Sequence, residues 1–268
     1  MELYYRRTGQ GEPLLILHGL YGNSDNWLTM AKRLSGDHDV IIPDLRNHGR
    51  SQHHPLHSYP QMSDDVLQLM DSLHIGRCCM IGHSMGGKTA VHIAARAPER
   101  LSKLVVADIS PINYASLTES SPIVTEHLNL MHTLLKTDLT RFATRAAIEQ
   151  YWSDRMPEAT RRFMLKNLQQ KNASLTWRIN LPVIARHLPH ILNGMDELTS
   201  ERQSPIRVPT LFVKGACSNY LPDAIFPFIR KIFPDAQFAA ISGAGHWLHY
   251  EQPERFYEKI NIFLKKNH

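Results

Sequence analysis

Cysteine is scarce in this chain. Its 268 residues hold three, Cys78, Cys79 and Cys217. The odd count and the lack of a spaced framework exclude a disulfide scaffold. Cys78 and Cys79 are neighbours inside an apolar run and read as buried core residues. A reducing compartment, the cytoplasm, is expected. Long hydrophobic runs are also missing, and the start, Met1 to Arg7, carries no apolar stretch of signal-peptide length. Neither an export signal nor a membrane span is expected. Charge of one sign is not concentrated anywhere. The formal net charge is +5, yet basic residues are scattered, in groups such as Arg6-Arg7, Arg161-Arg162 and Lys265-Lys266. A specific nucleic-acid binder would gather them in a stripe, so no nucleic-acid partner is expected. Disorder is excluded as well, since 43% of residues are hydrophobic and 21% charged. Nothing in the pattern specifies an oligomer.

What is present is an alternation. Short apolar runs, Leu14–Leu17, Val40–Ile42, Cys78–Ile81 and Leu104–Ala107, are separated by helical stretches. Continuous apolar runs of this length fit strands buried on both faces. Strand and helix in alternation give a mostly parallel sheet flanked by helices, an α/β fold. From about Pro111 to Ser204 no convincing strand is seen, and helices are expected over Thr125–Leu135, Leu139–Tyr151, Ala159–Gln169 and Leu181–Met195. The alternation resumes with Pro209–Val213, a helix near Asp223–Ile232, a strand at Gln237–Ile241 and a helix at Pro253–Leu264. The organisation read from this is a core in two parts, 1–110 and 206–268, with a helical cap at 111–205. The cap should lie over the carboxyl ends of the strands, where such sheets place their sites.

Gly82-His83-Ser84-Met85-Gly86 fits G-x-S-x-G between a strand and a helix. The turn at such a serine is sharp and strained, so its neighbours at minus two and plus two must be small. Ser84 is the candidate nucleophile. An acyl oxyanion needs two N–H donors. Met85 follows the nucleophile and supplies one, and Leu20, in the loop after Leu17, supplies the other. Gly19 allows close approach there, and His18 braces the loop. His246 in Gly243-Ala244-Gly245-His246-Trp247 follows the last strand and is the candidate base. Its position fits the chain order of nucleophile, acid, base. His53, His54 and His57 lack metal-ligand spacing with a partner, so no metal is expected.

The acid is less direct. Three residues past Gly215, where an Asp is usual, stands Ser218. A hydroxyl cannot offset the imidazolium charge that forms during catalysis. Asp108, at the end of the Leu104–Ala107 strand and so at the same sheet edge as the nucleophile, is the preferred candidate, and Asp223, already on a helix, is the runner-up.

Taken together, these residues resemble α/β-hydrolases over nearly the full length. Arg46-Asn47-His48-Gly49-Arg50-Ser51, Gly86-Gly87-Lys88 and Asp108-Ile109-Ser110-Pro111 are similar to YbfF-type esterases. The resemblance implies an α/β-hydrolase fold with a helical cap over the site. It implies Asp108 as the triad acid, and a serine near the base at Ser218. It also implies an esterase acting on small acyl esters, with acyl thioesters such as acyl-CoA as a further class, and no cofactor. His18, Gly19, Trp247 and Ser218 are then expected to border the substrate, with Trp177 and Met195 as possible cap contributors. Lys88 is expected to pair locally. The same fold also supports C–C bond hydrolysis, acyl transfer, cofactor-free haloperoxidation and non-catalytic ligand binding.

Overall fold

In a computed structural model, described for residues 1–114, 121–172, 174–193 and 204–266, the chain builds one large sheet. The strands β1 (Tyr5–Thr8), β2 (Glu12–Leu17), β3 (His38–Pro43), β4 (Cys78–His83) and β5 (Leu101–Ala107) come first. Helices α1 (Leu28–Leu34), α2 (Tyr59–Ser72) and α3 (Met85–Arg96) connect them. After β5 the chain leaves the sheet for α4 (Pro122–Leu135), α5 (Arg145–Tyr151), α6 (Glu158–Leu165), a hairpin of β6 (Leu168–Lys171) and β7 (Ser174–Trp177), and α7 (Leu181–Asn193). It returns through β8 (Thr210–Gly215), α8 (Phe226–Ile232), β9 (Gln237–Ile241), α9 (Leu248–Glu251) and α10 (Pro253–Lys265).

The seven-stranded sheet has the order β1-β3-β2-β4-β5-β8-β9. Only the edge strand β1 is antiparallel to its neighbour. Successive residues of each inner strand enter opposite cores. Leu15, Leu17, Met80, Leu104 and Val106 face one, and Leu14, Ile16, Cys79, Ile81 and Val105 face the other. This is the two-sided burial that the continuous apolar runs required. Each fully buried leucine contributes about 1.5–3 kcal/mol by leaving water.

The excursion between β5 and β8 departs from the all-helical expectation. It contains the β6–β7 hairpin, paired from Leu168–Trp177 to Lys171–Ser174. The stretch expected as one helix from Leu139 to Tyr151 is divided. A short 3-10 turn at Leu139–Arg141 ends, and Thr144 then caps α5 by accepting from the Ala147 N–H at 3.2 Å. The helix expected over Ala159–Gln169 stops at Leu165, and the hairpin begins at Leu168. The end of the Leu181–Met195 stretch, including Met195, lies outside the described residues.

The excursion is tied to the core by polar contacts. The Asn167 amide donates to the Tyr21 carbonyl at 2.6 Å, and the Asn180 amide donates to the Asn47 side-chain oxygen at 3.0 Å. Lys88, 1% exposed, donates to the carbonyls of Ile112 at 2.9 Å, Leu192 at 3.3 Å and Asn193 at 3.4 Å. Its partners are thus remote in sequence. α3 reaches across to the end of α7 rather than pairing within its own helix.

Candidate active site

Ser84 stands between β4 and α3 with φ 52° and ψ −121°. An L-residue at positive φ is strained, at a cost on the order of 1–3 kcal/mol, and persists only where its surroundings enforce it. They do so here through two glycines. A Cβ at Gly82 would collide with the Gly86 carbonyl, and one at Gly86 with the carbonyls of Leu17 and His18. The Ser84 N–H donates to the Ala107 carbonyl at 3.0 Å, which fixes the turn against β5. The side chain stands over the N-terminus of a twelve-residue helix, whose first amides carry the positive dipole end.

The loop after β9 brings His246 to Ser84. The Ser84 hydroxyl lies 3.1 Å from His246 Nε2, and His246 Nδ1 lies 2.8 Å from Asp108 Oδ2. Asp108, at the end of β5, is fully buried and also has a positive φ, 48°. Its Oδ1 accepts from the Gly215 N–H at 2.8 Å, and its Oδ2 also accepts the Ser218 hydroxyl. A buried carboxylate with three donors is held in one orientation. Asp223 is elsewhere, paired with Lys214 at 2.8 Å on the surface.

The other expected residues fall as follows. Among the described residues, neither the Leu20 nor the Met85 N–H donates to a protein acceptor. The loop carrying Leu20 is held by His18, which is fully buried. Its Nδ1–H donates to the Gly19 carbonyl at 2.8 Å, and its Nε2 accepts from the Leu45 N–H at 2.9 Å. A Cβ at Gly19 would come within 2.8 Å of the His83 ring. Asp44 to Ser51 forms the hydrogen-bonded floor. Asp44 accepts from the N–H groups of Ser24 and Arg50, and Arg46 forms a buried pair with Asp65 at 2.6 Å. Trp247 packs on Phe163 of α6 with ring centroids 5.2 Å apart. Trp177 stacks on Trp152 inside the excursion, a packing role rather than a substrate one. Ser218 borders the cavity, but its hydroxyl is committed to Asp108 rather than turned toward substrate.

Three neighbours of the base were not legible in the sequence. Tyr220 stacks flat on the His246 imidazole, with centroids 3.8 Å apart and 19° between planes. His83, buried beside it, donates Nε2–H to the His246 carbonyl at 2.8 Å. Burial holds His83 well below the usual imidazole pKa, so it is neutral. Glu251 accepts from the N–H groups of Gly245 at 2.7 Å and Trp247 at 3.1 Å, clasping the loop on both sides of His246. Of these, only Glu251 had a signal, as a carboxylate shortly after a glycine-rich turn.

A cavity of about 300 Å³ opens over Ser84. Its walls include Leu20 from the core and Ile123, Leu130 and Phe163 from the excursion, so an apolar chain can be accommodated. The elements around it are a strand–serine–helix turn, a late histidine and a carboxylate at the end of the next strand. A family model described as the alpha/beta hydrolase fold matches residues 12–253.

The chain belongs to the α/β-hydrolase family.

Within that family it is 38% identical to the sn-1-specific diacylglycerol lipase ABHD11 of Xenopus laevis over 95% of this chain and 80% of that protein. It is 32% identical to esterase YbfF of Escherichia coli (strain K12), over 94% of this chain and 92% of that one. Among solved structures, a marine microorganism esterase superposes with a TM-score of 0.93 at 40% identity, covering 98% of this chain and 99% of that one. The resemblance to YbfF-type esterases read from the motifs thus holds across the whole α/β-hydrolase chain.

Proposed function

We propose that this protein is a serine esterase that cleaves carboxylic esters through an acyl-enzyme, with Ser84, His246 and Asp108 as its triad. The observation that carries the reading is the continuous relay from Ser84 Oγ through His246 to the Asp108 carboxylate, at 3.1 and 2.8 Å. Ser84 Oγ attacks the ester carbonyl as its proton passes to His246 Nε2. The new oxyanion accepts from the Leu20 and Met85 N–H groups. When the tetrahedral intermediate collapses, the C–O bond to the alcohol breaks and His246 returns the proton to the departing oxygen. Water then attacks the acyl-enzyme, again giving its proton to His246, and releases the acid and free Ser84. Asp108 holds the imidazole by accepting its Nδ1–H and offsets the positive charge it gains.

The segments 1–110 and 206–268 act as the core, and 111–205 as a cap that supplies apolar wall to the cavity. Thioesters undergo the same sequence with a thiol leaving group. The three unpaired cysteines suit a reducing compartment such as the cytoplasm.

A fluorophosphonate probe tests the reading. It is expected to label the wild-type protein and to leave Ser84→Ala unlabelled, while p-nitrophenyl ester hydrolysis falls to background in the variant. A well-folded wild type that takes no label and turns over no ester would sink the proposal and favour a ligand-binding role.

A further inference from the structure

Two polar atoms in the cavity wall have no hydrogen-bond partner among the described residues, although both are enclosed: Tyr21 Oη and His127 Nδ1. Their rings lie 6.0 Å apart. Tyr21, 3% exposed, follows Leu20 in the oxyanion loop. His127 stands on α4. Orphaned polar atoms in a closed interior are costly, on the order of 1–3 kcal/mol each. Two side by side in a substrate cavity have a ready explanation in a group that arrives with the ligand.

The surroundings fix what each atom offers. Tyr21 is held on both sides of its backbone. Its N–H donates to His48 Nε2 at 3.2 Å, and its carbonyl accepts from the Asn167 amide at 2.6 Å. Its φ is 63°, a strained value that these contacts enforce, so the ring is aimed rather than free. Burial raises its pKa, so the hydroxyl keeps its proton and can donate. His127 Nε2 lies 3.0 Å from the Tyr220 hydroxyl, which burial likewise keeps protonated. In the tautomer where the Tyr220 O–H donates to Nε2, the remaining proton of the neutral ring sits on Nδ1. Burial pushes His127 down to about 4, so the ring is neutral at pH 7. The cavity wall thus carries two neutral polar groups, on Tyr21 and His127, whose rings lie 6.0 Å apart.

We propose that Tyr21 and His127 form an oxygen-recognition subsite, specific for a neutral hydrogen-bond acceptor, such as an ether or carbonyl oxygen, carried by the substrate apart from its scissile ester. The proposal rests on the esterase reading above. An uncharged acceptor suits the site, because neither Tyr21 nor His127 brings a positive charge to offset an anion buried there. It belongs either to the acyl chain or to the alcohol, since both portions share this cavity.

Matched pairs of esters that differ by one CH₂ for O exchange test it. For the acyl side these are p-nitrophenyl 5-methoxypentanoate and p-nitrophenyl heptanoate. For the alcohol side they are 2-methoxyethyl heptanoate and butyl heptanoate. In one of the two pairs, wild type is expected to favour the oxygenated member in kcat/KM by about tenfold, the worth of a well-made neutral hydrogen bond. Tyr21→Phe and His127→Leu are each expected to bring that ratio toward one, and the responding pair tells which side carries the oxygen. Turnover with equal ratios in wild type and variants overturns the subsite alone. Failure to turn over all four esters overturns the esterase reading, and the subsite with it.

Discussion

Ser218 occupies the position where an acid was sought, and its hydroxyl donates to Asp108, the acid proposed here. The carboxylate comes from the end of β5 instead, and Asp223 is spent on a surface pair with Lys214. Asp108→Asn is expected to cut the acylation rate by about ten-thousandfold, as loss of the carboxylate does in a Ser–His–Asp triad. Asp223→Asn should stay within about twofold, because exposed ion pairs contribute little. Single-turnover kinetics on the two variants separate these outcomes, and the reverse ranking would refute the triad proposed here. At this scale Ser84 and His246, which the structure brings within 3.1 Å of each other, were legible, because each sits in a short motif with a steric or hydrogen-bonding requirement. The choice between Asp108 and Asp223 was not settled by the residues themselves, since both lie past strand ends. Tyr220, Tyr21 and His127 were not legible at all. They meet the site through ring stacking and cavity shape, which no local spacing encodes.

The inner strands were legible because burial on both faces writes an unbroken apolar run. The edge strand β1, Tyr5-Arg6-Arg7-Thr8, gives no such run, since it is mostly exposed and held by one neighbour. The β6–β7 hairpin escaped for a related reason. Leu168-Gln169-Gln170-Lys171 and Ser174-Leu175-Thr176-Trp177 contain few apolar residues, and only Leu168 and Leu175 among them are buried. Lys88 is the clearest test of how the elements are joined. Replacing it with Met keeps the volume and removes its donors to the carbonyls of Ile112, Leu192 and Asn193. Each buried acceptor left unpaired costs about 1–3 kcal/mol, so Lys88→Met is expected to lower unfolding stability by about 2 kcal/mol or more. Urea denaturation measures it, and an unchanged midpoint would show that α3 and α7 do not depend on this contact.

Across the whole molecule, imidazoles are buried to an unusual degree. His18, His48, His57 and His83 are each at most 3% exposed. Burial lowers all four below the ordinary value of 6.5, His57 to about 3 and His48 and His83 well below it. In the unfolded chain the same groups take up protons near pH 6.5. Below that pH the unfolded state binds more protons than the folded one, so folding stability falls as pH drops. Above it these groups have no effect. The loss is about 1.4 kcal/mol per pH unit for each histidine that stays neutral. Thermal unfolding is therefore expected to show a plateau above pH 7 and a steep decline between pH 6.5 and 5. A melting temperature flat across that interval would contradict it.

The stack of Tyr220 on His246 has a further consequence. With Tyr220 against the imidazole at 3.8 Å and the His83 ring 4.8 Å away, the base is confined like a page in a closed book. A half-turn about its Cβ–Cγ bond would put Cε1 in place of Nε2 opposite Ser84 and Cδ2 in place of Nδ1 opposite Asp108, and the rings packed on it oppose that turn. In the proposed cycle, Nε2 therefore still meets Ser84 when one turnover ends and the next begins. Successive catalytic cycles begin from a single arrangement of the ring, with no interval in which it must find its orientation again.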